Sequence, residues 1–173
     1  MTPLVLTLIG DDRPGLVAAV SQAVAAQGGT WLESRLARLS GKFAGIVLVG
    51  APPEKAQAIA GALEGLAVEG LKVTVESGAE PVAAAAPGER LDLEIVGNER
   101  PGIVRDLTQA LKALGANIEE FSSGLESAPF TGQDMFRAKA RVTLPAGLKP
   151  AEVGRTLERL AGEIMVDLTL GEG

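Results

Sequence analysis

An internal repeat is the feature that most restricts how this chain of 173 residues can fold. Residues 4–31 lie over residues 91–118 at a constant offset of 87, and both segments place the tripeptide Arg-Pro-Gly at the same point of a shared hydrophobic pattern. Such self-similarity indicates a duplicated structural unit. The identical pairs are Leu4 and Leu91, Leu6 and Leu93, Gly10 and Gly97, Arg13 and Arg100, Pro14 and Pro101, Gly15 and Gly102, Val17 and Val104, Gln22 and Gln109, Ala23 and Ala110, Ala26 and Ala113, and Gly28 and Gly115.

The two copies are separated by a segment of small residues and proline, GAEPVAAAAPGER, from Gly78 to Arg90. A composition of this kind is typical of a linker. The sequence therefore predicts a first domain at 1–77, a linker at 78–90 and a second domain at 91–173. Each domain is small enough to be only marginally stable alone.

Within each copy the hydrophobic period changes in a fixed order. In the second copy Leu91, Leu93 and Ile95 alternate with Asp92 and Glu94, as in a strand with one apolar face. The next apolar residues recur at spacings of three and four, which indicates an amphipathic helix. The later elements are predicted as two strands, a short helix and a fourth strand, at 30–39, 43–49, 54–66 and 71–76 in the first copy and at 117–123, 135–144, 150–160 and 164–170 in the second.

This order is β-α-β-β-α-β, present twice. It predicts an α+β protein of two ferredoxin-like domains, each an antiparallel sheet with both helices on one face. We expect Pro14 and Pro101 at the first helical position of each copy, where a missing N–H has no cost. Gly28 and Gly115 are expected at the ends of these helices.

The sheet faces away from the helices are predicted to differ between the copies. In the second copy Arg137, Lys139 and Arg141 share this face, and Asp92 and Glu94 of the neighbouring strand can pair with them. The same strands of the first copy, LVLTLI and AGIVLV, are apolar on both sides. Because such strands usually have both faces covered, we predict that the back of the first sheet packs on the other domain or on a second chain. The residues expected to be covered there are Val5, Ile9, Val47 and Val49.

The composition removes much of the usual catalytic chemistry. The chain has no His, Cys or Tyr, so the commonest general base, the commonest zinc ligand and the thiolate nucleophile are missing. We therefore expect no catalytic residue, no metal site and no cofactor. A net charge of -6 disfavours direct nucleic-acid binding, which depends on Lys and Arg. The chain shows neither a basic leader nor a long uncharged apolar run, so we expect a soluble cytoplasmic protein without membrane contact.

The turn between the first strand and the first helix is the one motif with chemical content. It reads GDDRPGLV at 10–17 and GNERPGIV at 97–104. The opening N–H groups of a helix have no intrahelical partner and lie at the positive end of its dipole. The carboxylate of a small ligand could dock on the amides of Gly15 and Leu16, or on those of Gly102 and Ile103.

Charged side chains of the same turn could complete such a site. Arg13 or Arg100 could hold a carboxylate or brace the loop, and Asp11, Asp12 and Glu99 could receive an ammonium group. A carboxylate and an ammonium group in one small pocket describe an amino acid. The alternative is that these residues are ordinary capping chemistry at a helix start.

The turn D-R-P-G-hydrophobic after a strand, followed by an amphipathic helix and by G-G-T or G-A-N, resembles the ACT domain. The resemblance covers nearly the whole chain apart from the linker. It implies amino-acid-binding regulatory modules that pair side by side and bind ligand where this turn meets a neighbouring domain. The residues to which it assigns ligand binding are Gly10, Asp11, Asp12, Arg13, Pro14, Gly15 and Leu16, and Gly97, Asn98, Glu99, Arg100, Pro101, Gly102 and Ile103.

The two turns differ at Asp11 against Asn98 and at Asp12 against Glu99. An amide offers a donor and an acceptor where a carboxylate offers only acceptors. We therefore expect the two sites to bind ligand unequally.

The tandem layout and the segment FTGQDMFRAKARVTLP at 130–145 resemble, within this family, the repressors of the glycine cleavage genes. This implies a non-enzymatic accessory repressor that senses a small amino acid, glycine first of all, and contacts a transcriptional activator instead of DNA. A detached regulatory module that controls an enzyme of amino-acid metabolism is the open alternative. The resemblance also implies a homo-oligomer or pairing of the two domains within one chain. An enzyme is disfavoured, because two such domains use up the chain.

Overall fold

The computed structural model describes residues 1–78, 88–127 and 134–160, together with the backbone of Met165–Leu170. The chain divides into two compact units, unit 1 (Met1–Ala83) and unit 2 (Ala84–Gly173). Most of the predicted linker, residues 79–87, lies outside the described part of the chain. Among the described residues, no helix is long and apolar enough to cross a membrane.

Unit 1 contains a four-stranded antiparallel sheet and two helices. The strands are β1 (Thr2–Asp11), β2 (Thr30–Leu39), β3 (Lys42–Ala51) and β4 (Leu71–Ser77), and the helices are α1 (Leu16–Ala26) and α2 (Ala56–Glu64). Two 3-10 turns, Pro53–Lys55 and Gly65–Glu69, flank α2. The strand order is β2-β3-β1-β4.

Unit 2 repeats this architecture. Its strands are β5 (Arg90–Asn98), β6 (Asn117–Ser127), β7 (Asp134–Thr143) and β8 (Met165–Leu170), and its helices are α3 (Ile103–Ala113) and α4 (Pro150–Leu160). The strand order, β6-β7-β5-β8, matches that of unit 1, and neighbouring strands are antiparallel. The predicted α+β class, with two ferredoxin-like β-α-β-β-α-β folds, is confirmed. Strand β6 runs four residues beyond its predicted end at 123.

In each unit the core lies between one sheet face and the two helices. In β1 every second residue is buried, and these side chains pack with Val20 and Val24 of α1, which lie one helical turn apart. The buried hydrophobic residues of β1 are Leu4, Leu6 and Leu8. The corresponding core of unit 2 is formed by Leu91, Leu93, Ile95, Leu107, Leu111, Val153 and Leu157.

The prediction that proline occupies the first helical position is wrong in both units. Helix α1 begins at Leu16 and α3 at Ile103, two residues after the prolines. The reason is the intervening glycine, which has φ 95° in unit 1 and φ 85° in unit 2, in the left-handed region that a right-handed helix cannot include. Proline followed by such a glycine is the pattern of a type II turn. In unit 2 the amide of Ile103 closes this turn by donating to the carbonyl of Arg100 at 3.3 Å.

The predicted helix ends are confirmed by their hydrogen bonds. Gly28 has φ 77°, its amide donates to the carbonyl of Ala25, and the amide of Gly29 donates to that of Val24. Gly115 has φ 74° and begins the same arrangement at the end of α3. This pair of bonds is a Schellman motif, which satisfies the last carbonyls of a helix.

The back of the sheet in unit 2 carries the predicted ion pairs. Arg141 Nε lies 2.9 Å from Asp92 Oδ1, and Arg137 Nη1 lies 2.5 Å from Glu94 Oε1. Arg137 also pairs with Glu126 of β6 at 3.1 Å. The pKa of Arg141 is raised first by its hydrogen bond to Asp92 and then by the charge of that carboxylate.

The back of the sheet in unit 1 differs from its prediction in two residues. Val47 and Val49 are buried on the helix face, because β3 pairs with β1 in a register that sets Val47 beside Leu6 and Val49 beside Leu4. The residues that share the back face with Val5 and Ile9 are Thr7, Ala44, Ile46 and Leu48. Ile9 and Ile46 on this face are 48% and 50% exposed.

Candidate functional site

The predicted site begins where β1 passes into α1. Gly15 has no side-chain cap and its backbone turns through the left-handed region, so the first amides of α1 have no capping side chain at that position. A Cβ on Gly15 would meet no atom within 4 Å, which shows open space beside the turn. Gly10 has a structural role, because a Cβ there would lie 3.0 Å from the carbonyl oxygen of Gly70 and 3.1 Å from Leu71 Cδ1.

A cavity of about 220 Å³ adjoins this turn in unit 1. It lies between the start of α1 and the segment that leads from the 3-10 turn after α2 into β4. Four predicted site residues line it, and four further residues complete the wall. The lining residues are Arg13, Pro14, Gly15, Leu16, Ala19, Leu66, Glu69 and Leu71.

Arg13 is the cationic residue of this cavity. Its guanidinium donates to the backbone carbonyl of Glu69, so the side chain reaches from the turn to the opposite wall. A backbone carbonyl orients a guanidinium without neutralising it, and Arg still has further N–H donors. Arg13 can therefore offer its charge to an anionic ligand.

The predicted acidic residues of the first turn lie outside the lining of the cavity. Asp11 pairs with Lys42, and the hydrogen bond from Lys42 lowers the pKa of Asp11 below its usual value. Asp12 pairs with Arg38, with Oδ2 3.3 Å from Nη1. Both carboxylates are thus engaged with cations. The acidic residue that does line the cavity is Glu69.

The turn of unit 2 borders a cavity of about 300 Å³ on its other side. This cavity lies between the start of α3 and the end of β6. Five predicted residues line it, whereas Gly97 and Asn98 do not. The lining residues are Glu99, Arg100, Pro101, Gly102, Ile103, Val104, Ser123, Gly124, Leu125 and Phe136.

Arg100 has a different partner from Arg13. Its Nη1 lies 2.7 Å from Oδ2 of Asp106, and Arg105 Nη2 lies 2.9 Å from Oδ1 of the same carboxylate. The hydrogen bond from Arg100, followed by that from Arg105, lowers the pKa of Asp106. The carboxylate therefore stays ionised and offsets part of the charge that Arg100 could present to a ligand.

Two substitutions between the copies explain the difference. Asp106 corresponds to Ala19 at the offset of 87, so unit 1 has no carboxylate at that point of the helix. By strand register Leu125, opposite Phe136, corresponds to Arg38, opposite Phe43. Unit 1 thus has the Arg38 and Asp12 ion pair on the side where unit 2 has its cavity.

Sequence reasoning missed Glu69, Leu66 and Leu125. Glu69 and Leu66 belong to the 3-10 turn after α2, and Leu125 lies beyond the predicted end of β6. The difference that Asp106 makes between the two turns could have been found from sequence, because Asp106 aligns with Ala19 in the first copy. Among the described residues, no group of three or more acidic, His or Cys side chains is placed to hold a metal ion.

Comparisons with known proteins agree with this architecture. Residues 2–76 match the family model of the ACT domain. An unknown protein from Galdieria sulphuraria has 31% identity and a TM-score of 0.86 over 99% of each chain. A protein described provisionally as a glycine cleavage system transcriptional repressor has 16% identity and a TM-score of 0.70 over 98% of each chain, which shows a shared fold. A comparison with curated proteins gives no match. Unit 1 thus matches the ACT domain over residues 2–76, and unit 2 repeats the same ferredoxin-like fold.

Proposed function

We propose that this protein is a non-enzymatic sensor of a small amino acid, with glycine as the ligand, and that it regulates transcription by contacting an activator protein. The ligand-binding site is the cavity of unit 1. The observation that carries the proposal is Arg13, held at this cavity by a backbone carbonyl and beside the start of α1, which has no side-chain cap. These groups suit a carboxylate.

The size of the cavity favours a small ligand. Pockets for drug-sized molecules span roughly 300–1,000 Å³, whereas this cavity has about 220 Å³. A glycine zwitterion fits this space, and the apolar wall of Leu16, Leu66 and Leu71 offers a polar side chain no hydrogen-bond partner.

The ammonium group of the ligand needs an acceptor other than the one predicted from sequence. Asp11 and Asp12 are paired with cations outside the cavity lining. Glu69 lines the cavity on the wall opposite the turn, and its carboxylate is the acceptor that we propose for the ammonium group. A zwitterion between Arg13 and Glu69 would link the start of α1 to the 3-10 turn before β4.

Such a link can regulate a partner only if the partner prefers one state of the site, because a ligand shifts an equilibrium by its differential affinity for the two states. A net charge of -6 supports a protein partner over nucleic acid. The resemblance to repressors of glycine cleavage genes supports a transcriptional activator as that partner.

Isothermal titration of a panel of amino acids into the full chain tests the ligand. Glycine is expected to bind with higher affinity than leucine or phenylalanine. Arg13→Gln should weaken glycine binding at least tenfold, on the order of 1.4 kcal/mol, because it removes a charged donor. Arg100→Gln is the matched control and should change it little. Equal losses in the two variants, or none, would contradict the assignment to unit 1.

Affinity purification with and without glycine tests the partner. Recovery of a transcriptional activator that changes with glycine supports the proposal. Recovery of a metabolic enzyme instead would favour the detached regulatory module. A mobility shift of promoter DNA by the protein alone would contradict action through protein contact.

A further inference from the structure

The back of the sheet in unit 1 presents an apolar surface to solvent. Six residues of its two central strands share this surface, which we call the apolar face: Val5, Thr7, Ile9, Ala44, Ile46 and Leu48. Ile46, at its centre, is 50% exposed, and Ile9, towards one end, is 48% exposed. Contiguous apolar surface on a folded unit usually marks an interaction site, because its burial releases about 25 cal/mol for each Å².

The edges of the apolar face are charged. On β2, Glu33 lies beside Leu48 in register, and its carboxylate pairs with Arg35 at 2.9 Å. On β4, Lys72 lies beside Ile9 and Glu76 beside Val5. An apolar centre with a charged rim is the usual anatomy of a protein interface.

We propose that the apolar face binds the same face of a second copy of this chain through a two-fold axis. Two charges on β4 support this choice. Lys72 and Glu76 lie at opposite ends of the face. A two-fold axis that lies between the two sheets, parallel to them and perpendicular to their strands, therefore sets Lys72 of each copy opposite Glu76 of the other. A two-fold interface requires self-complementarity of this kind.

The side chains of the central strands also match under this axis. Val5 would lie opposite Ile9 of the second copy, and the large Leu48 opposite the small Ala44, as interdigitating sheet faces require. The back of the sheet in unit 2 offers no such match. Its arginines and carboxylates would lose hydration against an apolar partner.

The area of the whole back of the sheet, which is the apolar face together with its charged edge strands, predicts a reversible dimer. Its four strands lie about 4.8 Å apart and have seven to ten residues at about 3.3 Å each, which gives a projected area of about 600 Å². Two such faces bury about 1,200 Å², the lower end of specific interfaces. The dimer should therefore dissociate measurably on dilution.

Sedimentation velocity over a concentration series of the full chain tests the dimer. The wild-type protein should shift from monomer to dimer as its concentration rises. Ile46→Lys should weaken association at least tenfold, and it introduces the residue that unit 2 has at the corresponding position, Lys139. Lys139→Ala is the matched control and should leave association unchanged. Circular dichroism checks that each variant is folded.

A charge exchange provides the second test. Lys72→Glu or Glu76→Lys alone places like charges opposite each other and should weaken the dimer at least threefold, whereas the double variant should restore it. The proposal is overturned by a monomer at every concentration, by a dimer that Ile46→Lys does not weaken, or by single charge changes without effect.

Discussion

The same Arg-Pro-Gly turn has two different electrostatic settings in the two units. Arg13 donates to the carbonyl of Glu69 and has no carboxylate partner among the described residues, whereas Arg100 shares the carboxylate of Asp106 with Arg105. The backbone of the turn is nearly identical, with glycine φ values of 95° and 85°. A repeated motif thus preserves the path of the chain, and the side chains around it decide what each copy can bind.

The two sheets show a second contrast of the same kind. The back of the sheet in unit 2 is covered by a ladder of ion pairs that includes Arg137 and Arg141. The corresponding residues of unit 1 are Ala44 and Leu48. Equivalent positions on one fold therefore give a hydrated surface in one unit and an apolar face in the other.

The largest expected effect comes from Gly45→Ala. A Cβ at this position would overlap the carbonyl oxygen of Arg35 and lie 2.9 Å from Cα of Leu36, so backbone would have to move. Unit 2 has Ala138 at the equivalent position, where a Cβ is accommodated. We expect Gly45→Ala to destabilise unit 1 by about 3 kcal/mol.

Urea unfolding measures this loss through Trp31, the single tryptophan of the chain, which packs against the core of unit 1. Ala138→Gly is the matched control in unit 2. It removes a methyl group without a clash and should cost about 1 kcal/mol, read by circular dichroism. An unchanged Trp31 transition in Gly45→Ala would show that β2 can move away from β3 at no cost.

Ala19→Asp should convert the electrostatics of unit 1 into those of unit 2. The amide of Ala19 donates to the carbonyl of Gly15 at 2.9 Å, and that of Asp106 donates to Gly102 at 3.0 Å, so the two residues occupy the same helical position. The new carboxylate should pair with Arg13 and lower the affinity for glycine at least tenfold.

Isothermal titration measures this change, with Gln22→Glu as a control that adds the same charge on an exposed part of α1. The reverse variant, Asp106→Ala, should release Arg100. In an Arg13→Gln background it should increase whatever binding of glycine remains. Undiminished glycine binding by Ala19→Asp would show that the charge of Arg13 is not used.

The fold could be predicted from sequence because its signals are local and occur twice. The alternation in β5 and the glycines after α1 and α3 each specify an element without knowledge of its neighbours. The faces of β3 could not be assigned in this way. Val47 and Ile46 are both apolar, so the hydrophobic pattern does not distinguish the two faces of the strand. Only the pairing with β1 decides which of these two residues is buried.

Only the wall of the cavity that the turn itself forms could be predicted from sequence. Arg13, Pro14 and Gly15 are adjacent in sequence and line one cavity. Glu69 is 56 residues from Arg13, and its carbonyl is a backbone group that no side-chain pattern identifies. The opposite wall of the cavity therefore became visible only once the position of the 3-10 turn in the fold was known.

Asp106→Asn should make the stability of unit 2 less dependent on pH. Hydrogen bonds from Arg100 and Arg105 lower the pKa of Asp106 in the folded state. A lowered folded pKa stabilises the protein above the ordinary carboxyl pKa of about 3.9, and this contribution disappears as the pH falls through the lowered value. The variant should be less stable than the wild type at pH 7, and the difference should vanish in acid.

Thermal unfolding at pH 7 and in acid measures this convergence. Asp11→Asn is the comparison in unit 1, since the pKa of Asp11 is lowered by a single partner, Lys42. Its effect at pH 7 should have the same sign and be smaller. A difference between Asp106→Asn and the wild type that persists at low pH would mean that packing, instead of charge, is responsible.

The smallest effect is expected from Arg141→Leu, which gives unit 2 the residue that unit 1 has at position 48. The ion pair with Asp92 spans 2.9 Å, but the two side chains are 42% and 39% exposed, so water already screens their attraction. Exposed pairs of this kind contribute little to stability and less in salt. We expect a slightly lower urea midpoint at low ionic strength that approaches the wild-type value at high ionic strength.

Arg155→Leu, on the exposed surface of α4, controls for the loss of one positive charge. A large fall of the urea midpoint in Arg141→Leu alone, independent of salt, would mean that unit 2 needs its ion-paired surface in order to fold stably. The contrast between the two sheets would then reflect a difference in what stabilises each unit.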